Sequence, residues 1–178
     1  GSSDLTEVFP GIFLLRTYNE NRPDHRSNWI ALASINRAIP QLNGSIEASY
    51  RFHTDDFGMR SHTLSLAWFQ KLGPRFMLRP SVRFFGQSAA NFYVTTLTGS
   101  SIVPTSRPSG QAPFYSADYR LSKLTTVDYG LKAIWVATDH WQADAAIEKY
   151  EMRGRDGVTA ASAYPRATTA TFGLKFTF

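Results

Sequence analysis

The sequence predicts an all-β chain, an antiparallel transmembrane β-barrel of about eight strands, and three observations carry that expectation. The last stretch, residues 168–178, alternates with a period of two. Phe172, Leu174, Phe176 and Phe178 fall on one side, and Thr171, Gly173, Lys175 and Thr177 on the other. The final strand of a bacterial outer-membrane barrel has this form, its oily side towards lipid and its polar side towards the lumen. Tight connections also alternate with longer ones along the chain, as periplasmic turns and extracellular loops do. No segment of useful length carries the helical period. The competing reading of the same alternation is a water-soluble β-sandwich or lipocalin-like barrel.

Composition fits one domain in 178 residues. Apolar residues make up 43% and aromatic ones 14%, yet the mean hydropathy is -0.26, so polar residues are interspersed among them. The longest apolar runs, Ile12-Phe-Leu-Leu15 and Trp29-Ile-Ala-Leu-Ala33, fall far short of the ~18–20 residues of a membrane helix. A barrel strand needs only ~9–11 residues, of which alternate ones meet lipid. No signal peptide is visible, and Gly1-Ser-Ser3 reads as the start of a processed chain. The absence of cysteine excludes disulfides, thiol catalysis and Cys-ligated metals. The net charge of +5 is spread along the chain without a basic stripe, which sets nucleic acid aside as a partner.

From the N-terminus, residues 9–18 read as a strand in which Pro10-Gly11 marks a late start or a bulge. Residues 19–27 form a polar loop, followed by a strand over about 28–38. Asn43-Gly44 is a strong hairpin signal, since both residues accept positive φ. In the third strand Ile46, Ala48, Tyr50 and Phe52 oppose Glu47, Ser49, Arg51 and His53. A loop over 54–59 leads to a strand over 61–70, where Leu64, Leu66 and Trp68 oppose Thr63, Ser65 and Ala67. After a tight turn at 71–74, Phe76, Leu78, Val82 and Phe84 oppose Arg79, Ser81, Arg83 and Gln87. Pro80 lacks a ladder donor there and predicts a bulge or local edge. The longest loop covers 88–116. A sixth strand spans about 118–137, with Tyr129, Leu131, Ala133 and Trp135 on its oily side. A turn at 138–140 leads to a seventh, where Trp141, Ala143, Ala145 and Ile147 oppose Gln142, Asp144 and Glu148. Residues 153–166 are polar and precede the final strand.

Two consequences follow for the faces. Trp68, Phe76, Trp135, Trp141 and Phe178 lie beside short turns, as an interfacial girdle requires, with Phe172 and Phe176 completing the lipid side. The inward candidates are Glu47, Arg51, Arg79, Arg83, Arg120, Asp128, Lys132, Asp144, Glu148 and Lys175. Burying so many unpaired charges is prohibitive, so they must pair or line water. Closure at eight strands would join the final strand to the strand around Ile12 and Arg16.

The segments Arg60-Ser-His-Thr-Leu64, Phe85-Gly-Gln-Ser-Ala-Ala-Asn-Phe-Tyr93, Tyr115-Ser-Ala-Asp-Tyr-Arg-Leu-Ser122 and Tyr129-Gly-Leu-Lys132 carry a resemblance. Together they are similar to a family of uncharacterised bacterial outer-membrane proteins, catalogued as a domain of unknown function. Its genes often neighbour those of thioredoxin-like proteins and FMN transferases. The likeness runs from about Arg22 to the C-terminus. Family members are typically about twice as long, so the chain resembles a C-terminal half. The resemblance implies a bacterial outer-membrane location.

Candidate sites are few. His53, Asp55, Asp56 and His62 flank one outer loop. They could hold a divalent metal or activate water for hydrolysis, against the plainer reading of a turn capped by Asp. No spaced metal motif or nucleophile elbow supports chemistry there. The inward Arg and Lys residues would favour small polar or anionic solutes in an open lumen. In a closed eight-strand interior they would pair with the carboxylates instead. The expected function is a channel or transport-related barrel, not an enzyme and without a cofactor. Its partners are outer-membrane lipid and, through the last strand, the barrel-assembly machinery. A closed barrel serving as anchor or as an interaction module through residues 88–116 is the alternative.

Overall fold

The computed structural model describes residues 2–178, and its regular structure is β apart from three short 3₁₀ turns. The strands are β1 (Ser2–Phe9), β2 (Ile12–Tyr18), β3 (Asn28–Ile39), β4 (Gly44–Asp55), β5 (Arg60–Lys71), β6 (Phe76–Gln87), β7 (Leu124–Val136), β8 (Trp141–Gly154) and β9 (Arg166–Phe176). β1 and β2 make a separate two-strand sheet. β3 to β9 form one seven-strand sheet in chain order, each pair antiparallel.

This corrects the expectation of a closed eight-strand barrel. Residues 2–9 form an additional strand and take the edge of β2, so Ile12–Tyr18 pairs with β1 and not with β9. Among the described residues, β3 and β9 each keep one unpaired edge, and the sheet stays open. Pro10-Gly11 is the turn of the first hairpin, with Gly11 at φ +79 and a register shift between Glu7 and Phe9.

Three further local expectations are revised. The connection from β3 to β4 is a 3₁₀ turn, Pro40–Leu42, closed by Asn43 in the left-handed region at φ 50. Gly44 is needed for a different reason, because a Cβ there would lie 2.4 Å from the Trp68 ring and 2.7 Å from the Phe69 carbonyl. Of the two outcomes expected at Pro80, a bulge or a local edge, only the second is seen. The ladder drops out opposite it, but Ala67↔Ser81 and Gln70↔Leu78 keep one register. The strand expected from residue 118 starts at Leu124, because Asp118 caps a 3₁₀ turn, Tyr119–Leu121, by accepting from the Arg120 amide.

Strand register then assigns the two faces. The row Glu47, Ala67, Ser81, Gly130, Glu148 and Thr169 runs straight across β4 to β9. The row Ile46, Trp68 lies on the opposite face with Phe76↔Trp135 and Trp141↔Phe176. Between the tight turns and the middle of the sheet, each face therefore keeps its character over six consecutive strands. Only β3 departs from this, carrying Ile30 and Leu32 opposite His53 and Arg51 on the polar face.

Burial is inverted relative to a water-soluble sheet. Within β3 to β9 the buried residues are Ser61, Thr63, Ala67, Leu124 and Thr126, all on the polar face. The oily face is uncovered: Leu64 is 55% exposed, Ile147 54% and Phe172 73%. A large apolar side chain gains ~1.5–3 kcal/mol on burial, so leaving this face in water would forgo tens of kcal/mol.

The two ends of the sheet also differ. The turns at residues 40–43, 72–75 and 137–140 are tight and gather at one end, where the Thr177 amide donates to the His140 carbonyl at 2.9 Å. The connections 19–27, 56–59, 88–123 and 155–165 gather at the other end and pack into an ordered cap. Phe57, Met59, Ala90, Phe92 and Leu121 form its apolar core, with Phe57 and Phe92 edge to face at 5.0 Å. Asn21 and Tyr115, both 0% exposed, exchange backbone bonds of 3.0 and 2.8 Å. The Asn21 side chain donates to the Gln111 and Pro113 carbonyls at 2.6 and 2.8 Å and accepts from the Ser109 and Gly110 amides.

Two outcomes test this account. Gly44→Val should lower stability by ~2–3 kcal/mol, because the contact with Phe69 is to backbone and cannot yield; the midpoint of denaturant unfolding reads it. Asn21→Ala removes the partner of four part-buried backbone groups, the Gln111 and Pro113 carbonyls and the Ser109 and Gly110 amides, at ~0.5–1.5 kcal/mol each. Limited proteolysis should then cut residues 88–123 much faster while the strands stay intact.

Candidate functional site

The polar face of β4 to β8, together with the cap that overhangs it, is where charge and shelter coincide. Its centre is the row Glu47, Ala67, Ser81, Gly130, Glu148. The three small residues in the middle leave a floor between two glutamates. Gly130 keeps that floor clear, since a Cβ there would approach the Ser81 hydroxyl to 2.6 Å and displace it. Arg83 and Arg79 stand above and below Ser81 on β6. The resulting cavity has a volume of about 190 Å³, and Ser49, Ser65 and Asp128 complete its wall.

The charges are only partly neutralised by each other. Arg79 and Lys132 face each other directly across β6 and β7, an unfavourable like-charge pair. Each is drawn away to its own carboxylate. Lys132 Nζ lies 2.9 Å from Asp144, while Arg79 reaches towards Glu47 at 4.0 Å and stacks over the Phe69 ring at 5.0 Å. Among the described residues, Arg51, Arg83, Asp128, Glu148 and Lys175 make no ion pair within 4.0 Å. Arg51, Arg79 and Arg83 lie on β4 and β6, whereas Asp144 and Glu148 lie on β8. Glu47 shares β4 with Arg51, and Asp128 shares β7 with Lys132, so the uncompensated charge is a positive stripe on β6 and a negative stripe on β8, two strands apart.

Arg120 reaches this face by an unforeseen route. It sits on the 3₁₀ turn of the cap, and with Arg83, Gln87, Asp128 and Tyr150 it lines a second cavity of about 300 Å³ that adjoins the first. The Gln87 side-chain amide ties strand to cap by donating to the Arg120 and Ser122 carbonyls at 2.7 and 2.8 Å. Asp118 fixes the arginine through contacts of 2.6–3.0 Å and also accepts from Arg22 at 3.0 Å; Arg22 in turn pairs with Glu20. The bonds from Arg120, reinforced by Arg22, hold the Asp118 carboxyl well below the usual carboxylate range despite its partial burial. Tyr93 and Asp156 brace the far side of the cap through Thr159. Burial pushes the Tyr93 hydroxyl up against the opposing effect of its bond to Thr159.

The other expected residues are placed as follows. Trp68, Phe76, Trp135, Trp141 and Phe176 all lie on the oily face at the tight-turn end, and Phe172 lies further along it. Phe178 stacks edge to face on Phe176 at 5.1 Å. His53, Asp55, Asp56 and His62 are not brought together. His53 lies on the polar face, and His62 lies on the oily one with its Nδ1 2.6 Å from the Tyr50 hydroxyl. Asp55 pairs with Arg26 at 2.5 Å and accepts from the Met59 amide, while Asp56 accepts from Ser27. Among the described residues no group of three or more His, Cys, Asp or Glu could hold a metal ion. The cap residues Asn21 and Tyr115 carried no local signal, since they bond each other across a long stretch of sequence.

Sheet, inverted burial and ordered cap define an all-β protein with one apolar and one charged face. The chain belongs to the family described as "Protein of unknown function (DUF3570)", whose model matches residues 7–178. No curated protein and no solved structure matches it.

The Asp118 pairing predicts a pH response. A carboxyl whose folded pKa is depressed contributes its full stability above the unfolded value of ~3.9 and loses it as pH falls through the folded one. Near-UV circular dichroism of the cap tyrosines should hold from neutral pH to about pH 4 and decay only in stronger acid. Asp118→Asn should weaken the signal at neutral pH and remove the acid step.

Proposed function

We propose that the chain is part of the wall of a transmembrane β-barrel in the bacterial outer membrane, with the polar face lining an aqueous path for small polar or anionic solutes. The observation that carries this reading is the inverted burial. An oily face uncovered over six strands, backed by a charged one, suits lipid outside and water inside. Strands of 11–14 residues in β3 to β9 meet the length needed. The aromatics at the tight-turn end match an interfacial belt. In this reading tight turns face the periplasm, the cap faces outwards, and the unpaired edges of β3 and β9 are where further strands close the barrel.

One observation favours a second reading, a surface-interaction module: the cap is ordered by its own apolar core rather than being a set of loose loops. Both readings share the membrane wall and differ in whether solute passes.

Planar-bilayer recordings on protein extracted from membranes separate them. Discrete ion steps are expected, with Arg79→Glu/Arg83→Glu shifting selectivity towards cations and Gly130→Leu reducing conductance. Absence of steps would leave the anchor or interaction reading. Absence of tryptophan quenching by brominated lipid would remove the membrane wall itself.

A further inference from the structure

The oily face ends differently at its two ends over β7 to β9. At the tight-turn end it carries Trp135, Trp141 and Phe176 and no charge. At the cap end the same face turns basic. Lys149 and Arg153 flank Glu151 on β8, and Arg166 stands directly opposite Glu151 on β9. Arg155, one residue past the strand, brings its guanidinium to the same face by donating to the Thr125 hydroxyl at 3.0 Å. Four cations therefore surround one carboxylate.

Their pairing leaves most of that charge free. Glu151 is shared by Lys149 at 2.9 Å and Arg153 at 2.7 Å, and both cations remain largely exposed, at 62% and 59%. Arg155 spends one bond on a neutral hydroxyl, and Arg166 makes no ion pair among the described residues. The patch keeps a net charge of +3, immediately above the exposed Ile147. Arginines in this arrangement present paired donors suited to phosphate oxygens.

The height of the patch identifies its surroundings. From Trp141 to Lys149 the strand rises ~26 Å, and to Arg153 ~40 Å. At a barrel tilt of about 40° these become ~20 and ~30 Å, which bracket the ~25 Å apolar band of an outer-membrane barrel. The cations thus sit at the headgroup level of the cap-side leaflet, where the opposite interface has aromatics.

We infer that Lys149, Arg153, Arg155 and Arg166 form a binding patch for phosphate-bearing lipid headgroups of the outer leaflet. Charge complementarity selects an anionic lipid, and contiguity with the oily face selects a lipid over a soluble phosphate. The inference rests on the membrane-wall reading above.

The test reconstitutes the protein as extracted from membranes in phosphatidylcholine vesicles with and without diphosphorylated lipid A, and measures lipid A affinity in mixed micelles. Each cation near an anionic surface contributes about fivefold in affinity, so Lys149→Gln/Arg153→Gln/Arg166→Gln should weaken binding about a hundredfold. Raised ionic strength should weaken the wild type in the same direction. Equal affinity of wild type and triple variant overturns the inference, as does competition by inorganic phosphate at concentrations near that of the lipid. Protection of the strands from protease in pure phosphatidylcholine reports insertion separately. Insertion without lipid A preference removes only the patch, while failure to insert removes the membrane wall and the patch with it.

Discussion

A strand shows its side chains to two sides in turn, and along β4 to β9 those two sides keep their roles from the tight turns up to the last residues below the cap, where Lys149, Glu151, Arg153 and Arg166 make the oily side charged. That constraint underlies the rest of the molecule. A straight cross-strand register keeps Glu47, Ser81 and Glu148 on one face and Trp68, Trp135 and Trp141 on the other. A slip of one residue in any pair would put charge among the aromatics. No second layer covers the oily face, so cohesion comes from the continuous ladder, from cross-strand pairs such as Trp141 with Phe176 at 4.7 Å, and from the few ion pairs opposite.

The two ends divide the remaining work. Tight turns set register cheaply at one end, and their close approaches leave room only for glycine at Gly44. At the other end long connections bury their own polar groups against each other, with Asn21 and Tyr115 as the fixed centre. Among the described residues, the cap is where buried apolar side chains gather into a core, as they do in a water-soluble domain. It also delivers Arg120 to the polar face, so the charged groove is built jointly by strands and cap.

Polarity of the groove arises from which strands neighbour which. Arg79 and Lys132 would repel as a bare pair, and the structure holds both by placing a carboxylate on the far side of each. Arg83 and Asp128 stand directly opposite each other on β6 and β7, and with Glu148 they line the cavity over Ala67 and Ser81. Only Lys132 with Asp144 and Arg79 with Glu47 come within ion-pair distance on this face among the described residues.

Local alternation made much of this legible in the sequence. The strands from residue 28 onwards, the split between faces, the terminal pattern through Phe172, Leu174 and Phe176, and nine of the ten charges assigned to the polar face follow from a period of two. That signal needs only neighbouring residues. Three things needed the tertiary structure. The edge of β2 was taken by residues 2–9, which no alternation marks strongly, so closure could not be judged from strand count. Arg120 reached the groove from a 3₁₀ turn, where strand parity has no meaning. The cap depended on bonds such as Asn21 to Pro113, 92 residues apart, and on the shared demand of Asp118 for Arg120 and Arg22. By itself the sequence determined which residues lie together on a strand face, because that is set by backbone geometry. Which edges meet, and how the loops enclose the groove, was decided only by tertiary structure, because those choices rest on contacts between distant segments competing for the same hydrogen-bonding groups.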